Sequence, residues 1–364
     1  MRHRLVLALA AAVAVAATVG AAIAVDAAGR PARAAAPSAI APLPLQLSGT
    51  GLYADGSMSV VRSGNVAFSP QYPLWSDGAT KRRWINIPAG RSIDASNPDA
   101  FQFPPGTKLW KEFGHGRPIE TRYIERLSDG SWRYATYVWN ADGTEATLAP
   151  EDGIASVAAP TAPGGRYAIP SRNDCLACHE GQAVPVLGFS ALQLSRDRDE
   201  QAPHAEPRRS GDADLADFVA RGIIRNLPRS LLDDPPRIVA ATPAGRAALG
   251  YMHANCGHCH NATGAVAGIE LVLAQSAVDP AASAQATLDS LVGHASRFQM
   301  HGGGATARVV PGKASESVIA ARMQSTNPLT RMPPLGVSVI DAEGIGAVER
   351  WIQQDLTPQP EITP

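Results

Sequence analysis

Glu120-Thr-Arg-Tyr-Ile-Glu-Arg-Leu127, Ser128-Asp-Gly-Ser131 and Trp132-Arg-Tyr-Ala-Thr-Tyr-Val-Trp139 follow one another as two β-prone runs around a turn sequence. Aromatic and β-branched residues suit a pleated surface, and Asp-Gly between such runs marks a hairpin. Alternation puts Trp132, Tyr134, Thr136 and Val138 on one face, an aromatic surface for a core or a flat ligand. For each tryptophan taken singly, an ordinary sheet core is the simpler use. The same punctuation recurs at Asp55-Gly56, Asp77-Gly78 and Asp142-Gly143, and five of the six tryptophans fall between Trp75 and Trp139. Residues 51 to 195 are therefore expected to form an antiparallel β-rich domain.

Further along, the pattern changes. A charged, proline-containing stretch, residues 196 to 210, opens a connecting segment, 196 to 240, and reads as a surface linker or arm. Asp214 to Ile224 then places Leu215, Phe218, Val219 and Gly222 on one helical stripe. In residues 241 to 357, Thr242-Pro243 starts a helix reaching about Asn255, Ser315 caps another to Met323, and Ala342 to Asp355 carries Ile345, Val348, Trp351 and Ile352 in register. The expected fold class is α+β.

The N-terminus reads as an export segment. Met-Arg-His-Arg precedes an uncharged apolar run, Leu5 to Val25, and Ala32-Arg33-Ala34 suits a signal peptidase. Residues 1 to 34 are a signal peptide or an uncleaved anchor, and either places the remainder in the periplasm; 35 to 50 are an Ala/Pro-rich linker. In 364 residues, 45% hydrophobic, 32 basic and 33 acidic groups nearly cancel. That balance excludes a nucleic-acid footprint or a polybasic membrane patch, so a membrane enters only through the N-terminal segment.

Cys175-Leu-Ala-Cys178-His179 and Cys256-Gly-His-Cys259-His260 both fit Cys-x-x-Cys-His, the attachment signature of c-type haem. The two-residue gap lets both thiols reach the vinyl groups on one porphyrin edge, and the adjacent imidazole can turn onto the iron. Two covalently bound haem c groups are expected, with His179 and His260 as proximal iron ligands. All four cysteines are used, leaving none for a disulfide framework. Structural zinc pairs lie about 12 to 20 residues apart, far closer than Cys178 and Cys256, and a redox dithiol has no use for two following histidines.

Residues 245 to 355 resemble a class I cytochrome c domain. The resemblance is carried by Tyr251-Met-His-Ala-Asn-Cys256-Gly-His-Cys259-His260-Asn, Val310-Pro311-Gly312, Arg331-Met332-Pro333-Pro334-Leu335-Gly336 and a closing helix with Trp351. It implies an all-α domain and makes Met332 the sixth ligand of the second haem. Two prolines would also hold a stiff, extended segment able to aim one sulfur, and His/Met ligation raises the potential. Met323 reads as core, and Met252 and Met300 are weaker competitors.

Phe103-Pro-Pro-Gly-Thr-Lys-Leu-Trp-Lys-Glu-Phe113, with Gly130-Ser-Trp132-Arg-Tyr134-Ala and the first motif, faintly resembles cytochrome c′-beta, whose haem sits against an antiparallel sheet. From Leu52 onward the chain resembles a set of diheme c-type cytochromes, through Pro73-Leu-Trp-Ser-Asp77, Ile119-Glu-Thr-Arg122 and Tyr137-Val-Trp-Asn140. That resemblance implies haem binding and electron transfer and names no substrate. For the first haem the sixth ligand is His204, His253, His115 or none, and His258 is expected to face solvent. The resulting expectation is an exported diheme electron carrier serving another redox protein, with no catalytic residues. The alternative is a peroxidase- or oxygenase-like enzyme whose first haem reacts while the second relays electrons. In a third reading the aromatic β-region binds a small molecule or partner.

Overall fold

Antiparallel pairing of these short runs builds a six-stranded sheet, seen in a computed structural model that describes residues 40–264, 266–298 and 306–356. In chain order the strands are β1 Val66–Ala67, β2 Thr80–Asn86, β3 Ile93–Asp94, β4 Lys108–His115, β5 Arg117–Arg126, β6 Trp132–Trp139, β7 Ala146–Leu148, β8 Ile154–Ala158, β9 Arg166–Ile169 and β10 Ile224–Arg225. The sheet order is β1-β2-β4-β5-β6-β7, while β8 pairs with β9 and β3 runs parallel to β10. The hairpin that opened the sequence forms as β5 and β6: Trp132 lies opposite Arg126, and Leu127 N–H donates to Ser131 O at 2.8 Å. Gly130 takes φ 84° in that turn, a conformation that favours glycine.

The two sheet faces differ. Trp84, Trp110, Tyr123, Tyr137 and Trp139 point to one face and pack under Leu47, Leu52 and Tyr53. The indoles there are satisfied: Trp110 Nε1 donates to Thr50 Oγ1 at 2.9 Å and Trp139 Nε1 to Thr121 Oγ1 at 3.0 Å. Ile85, Leu109, Ile124 and Trp132 belong to the other face, which meets the rest of the chain.

The helices are α1 Arg172–His179, α2 Leu215–Ala220, α3 Ser230–Asp233, α4 Pro243–Asn255, α5 Pro280–Leu291, α6 Val318–Met323 and α7 Ala342–Gln354. Thr242 caps α4 as expected, but α6 begins after Ser317, since Ser315 sits in a short 3-10 turn. α2 stops at Ala220, because Ile224 and Arg225 leave the helix to pair with β3.

The expected all-α class I cytochrome c domain at the C-terminus is overturned: the fold is sheet-rich, and the C-terminal helices do not enclose a core of their own. Leu249, Met252, Val348, Trp351 and Ile352 belong to the same hydrophobic cluster as Phe68, Ile85, Leu109 and Phe189. The reason lies in α4, which buries Ala247 through Met252 without a gap. Such a run goes round the whole helix, more than one amphipathic partner can cover. One side takes α7, whose Gly344 lets Tyr251 approach; a Cβ there would stand 2.2 Å from the ring. The opposite side takes Tyr72, which lies so close that a Cβ on Gly250 would stand 2.0 Å from its Cε1.

The charged stretch after Ser195 is not a loose arm either. Arg198 donates to Ser69 O at 2.8 Å and Pro70 O at 2.9 Å, Asp199 is buried, and Arg209 donates to Lys81 O at 3.1 Å. These contacts tie the segment to residues 69, 70 and 81. The expected signal peptide or anchor and Met300 lie outside the described residues. Among the described residues no helix is long and apolar enough to cross a membrane.

Candidate functional site

The first Cys-x-x-Cys-His segment is the body of α1. Ser171 caps the helix in a capping box with Asp174, so Cys175 and Cys178 fall one turn apart on the same side and His179 ends the helix. The Nδ1–H of His179 donates to Pro185 O at 2.7 Å, which leaves Nε2 with its lone pair free. Burial pushes this imidazole down to about 4, so the ring is neutral near pH 7. Tyr134 on β6 packs beside it, ring centroids 5.3 Å apart.

The second segment continues from the end of α4. Cys256 N–H donates to Met252 O at 2.9 Å, and a tight turn follows in which His260 N–H donates to Cys256 O at 2.8 Å. Burial holds the His260 ring at about 4 as well, and its buried Nδ1 meets no partner among the described residues. Burial raises all four thiols, Cys256 to about 12, and all four are free of disulfides. A redox-active dithiol needs the opposite shift.

Cys175, Cys178, His179, Cys256, Cys259, His260 and Met332 all line one cavity. The two segments also touch. Asn261 Nδ2 donates to Gly181 O at 2.9 Å and to Gly257 O at 3.0 Å, and Cys259 Sγ lies 4.0 Å from Ala177 O. A Cβ on Gly181 would stand 2.5 Å from His258 O, so only glycine permits this approach.

Haem c fits these residues. It asks of the protein two thiols for carbon–sulfur bonds and one neutral imidazole with a free nitrogen, and each segment supplies that set beside an apolar wall of Phe68, Leu109 and Ile124. A protein-only metal cage does not fit: among the described residues, no three His, Cys, Asp or Glu side chains converge on a common point. Met332 reaches the cavity from the loop after α6, its N–H donating to Arg322 O at 3.0 Å. Met252 is fully buried core on α4, and Met323 packs against the same core.

None of the three histidines considered for the first iron lines the cavity that holds the first motif. His204 stacks on Trp75 at 4.5 Å and places its ring nitrogens 2.7 Å from Asp341 Oδ1 and 3.2 Å from Glu343 Oε2. His115 lies edge-on to Tyr167, outside the cavity. His253 Nδ1 accepts from Gln275 N–H at 3.0 Å, so its neutral ring carries the proton on Nε2, and it lines a second cavity. His258 is buried instead of solvent-facing and borders both cavities.

Sequence reasoning missed the sheet's contribution to this site. Arg83, Lys111 and Arg122 line the cavity beside the motifs, and period-two alternation along β4 and β5 was the available signal. It also missed Pro185, which sets the His179 tautomer from six residues away. No family model matches this chain, and neither a curated protein nor a solved structure does.

Proposed function

We propose that this chain is an exported, periplasmic diheme c-type cytochrome that passes electrons to or from another redox protein. The observation that carries the reading is the convergence of both Cys-x-x-Cys-His segments on one cavity, in direct contact with each other. Haem c bound through those thiols would supply a reversible one-electron iron couple. His179 and His260 offer neutral imidazoles as proximal ligands, and the Pro185 carbonyl fixes the His179 tautomer. Met332 offers a thioether on the same cavity, beside the apolar wall. The Asn261–Gly181 contact holds the two attachment segments at a fixed spacing, as electron exchange between two centres requires.

A second reading, a haem enzyme with the first haem reactive, is favoured by one observation. None of His204, His115 and His253 lines the cavity that holds the first segment, while a second cavity adjoins it.

Pyridine haemochrome spectra of protein purified from an exporting, haem-loading host test the first reading. Two haems per chain are expected, falling to one in Cys175→Ser/Cys178→Ser and one in Cys256→Ser/Cys259→Ser. Protein lacking haemochrome absorbance, with four titratable thiols, overturns it. Cyanide or carbon monoxide binding by one of the two haems selects the enzymatic variant.

A further inference from the structure

Three cations stand in one row across the sheet. Arg83 on β2 lies directly opposite Lys111 on β4, and Lys111 directly opposite Arg122 on β5. Like charges placed directly opposite destabilise a sheet, more so where water is scarce. All three line the first cavity, Arg83 buried and Lys111 and Arg122 partly buried.

The flanking charges are answered locally. Glu206 grips Arg83 through bonds of 2.6 and 2.9 Å, and Glu120 takes Arg122 at 2.6 and 3.0 Å. Lys111, between them, has no carboxylate partner among the described residues; its ammonium rests 4.8 Å from the centre of the Phe113 ring. A ring face is a weak substitute for the water an ammonium gives up. Lys111 and Arg83 also border the second cavity, whose lining adds the amides of Gln182 and Gln193. Its exposed Asp99 already accepts from Ala277 N–H at 2.6 Å.

We propose that Lys111, flanked by Arg83 and Arg122, is the receptor for a negatively charged oxygen group at the junction of the two cavities. That group is either a carboxylate of the cofactor or a small free oxyanion or carboxylate in the second cavity. The first source rests on the haem reading; the second does not.

Succinate, sulfate, nitrite and inorganic phosphate, each titrated calorimetrically into the purified full-length protein and into Lys111→Gln and Lys111→Arg, separate the sources. If the anion is free, at least one probe binds one to one, Lys111→Gln weakens it about tenfold or more, and Lys111→Arg stays within about threefold. If the cofactor supplies the carboxylate, no probe binds, and Lys111→Gln lowers the midpoint potential of one haem while Lys111→Arg does not. Loss of a positive charge favours ferric iron, which sets that sign. No binding with unchanged potentials overturns the proposal, as does a Lys111→Gln protein altered only by a higher Tm, since the row would then be mere repulsion. Absence of haem defeats the functional reading and leaves the free-anion titration interpretable.

Discussion

The side-chain amide of Asn261 donates to the main-chain oxygen of Gly181 across 2.9 Å, joining the two Cys-x-x-Cys-His segments although 80 positions separate these residues in the chain. Asn261→Leu removes the donor and leaves the carbonyl of buried Gly181 short of a partner. A loss of about 1–3 kcal/mol is expected, read by thermal denaturation, with haem content unchanged. Gly181→Ala is expected to cost more, because the added Cβ meets a backbone oxygen at 2.5 Å that cannot swing away. Soret circular dichroism checks the spacing: both variants should weaken any couplet between the haems, and an unaltered spectrum would show that this contact does not set it.

Met332 shares the cavity with His260. In Met332→Ala the midpoint potential of one haem is expected to fall by on the order of 100 mV, because a thioether ligand favours ferrous iron. The other midpoint and the haem count should hold. Potentiometric titration decides this, and two unchanged midpoints refute the ligand role.

Gly250 and Gly346 give opposite signs for one substitution. In a helix, Gly→Ala ordinarily gains about 1 kcal/mol. Gly346→Ala on α7 should show that gain, since its Cβ would meet only the mobile end of Arg350 at 3.2 Å. Gly250→Ala instead drives a methyl into the Tyr72 ring at 2.0 Å, and overpacking of about 1–3 kcal/mol or more reverses the sign. Denaturant midpoints for the pair test whether α4 is held against the sheet side.

Lys81 is buried, and desolvation, with Arg83 nearby, brings its ammonium from 10.5 down to about 8. Between those values the unfolded chain holds a proton that the folded chain has released, so stability rises with pH across that window. The rise from Lys81 is on the order of 3 kcal/mol, and Lys81→Met should reduce the slope across that window. Above pH 10 the buried tyrosines, whose ionisation burial opposes, act the other way. A stability profile that falls from pH 8 to 10 contradicts the burial of Lys81.

The β5–β6 hairpin, the Thr242 cap and the α7 stripe were legible because each depends on residues within a few positions of one another. α5 was missed: its Ala-rich run from Pro280 to Leu291 buries only Ala284, Thr287 and Leu291, too faint a stripe to stand out. The C-terminal helices were assigned a domain of their own because α4 shows its periodicity but not its partners. Gly250 against Tyr72 is invisible until both are placed.

Read alone, the chain determined two identical Cys-x-x-Cys-His spacings and a sheet-forming hairpin, because spacing, capping and alternation act locally. Only the tertiary structure decided that both spacings open on one cavity, that His258 is buried, and that Arg83, Lys111 and Arg122 form one row. Those outcomes depend on strand register and on packing between distant segments, which no short window of sequence contains.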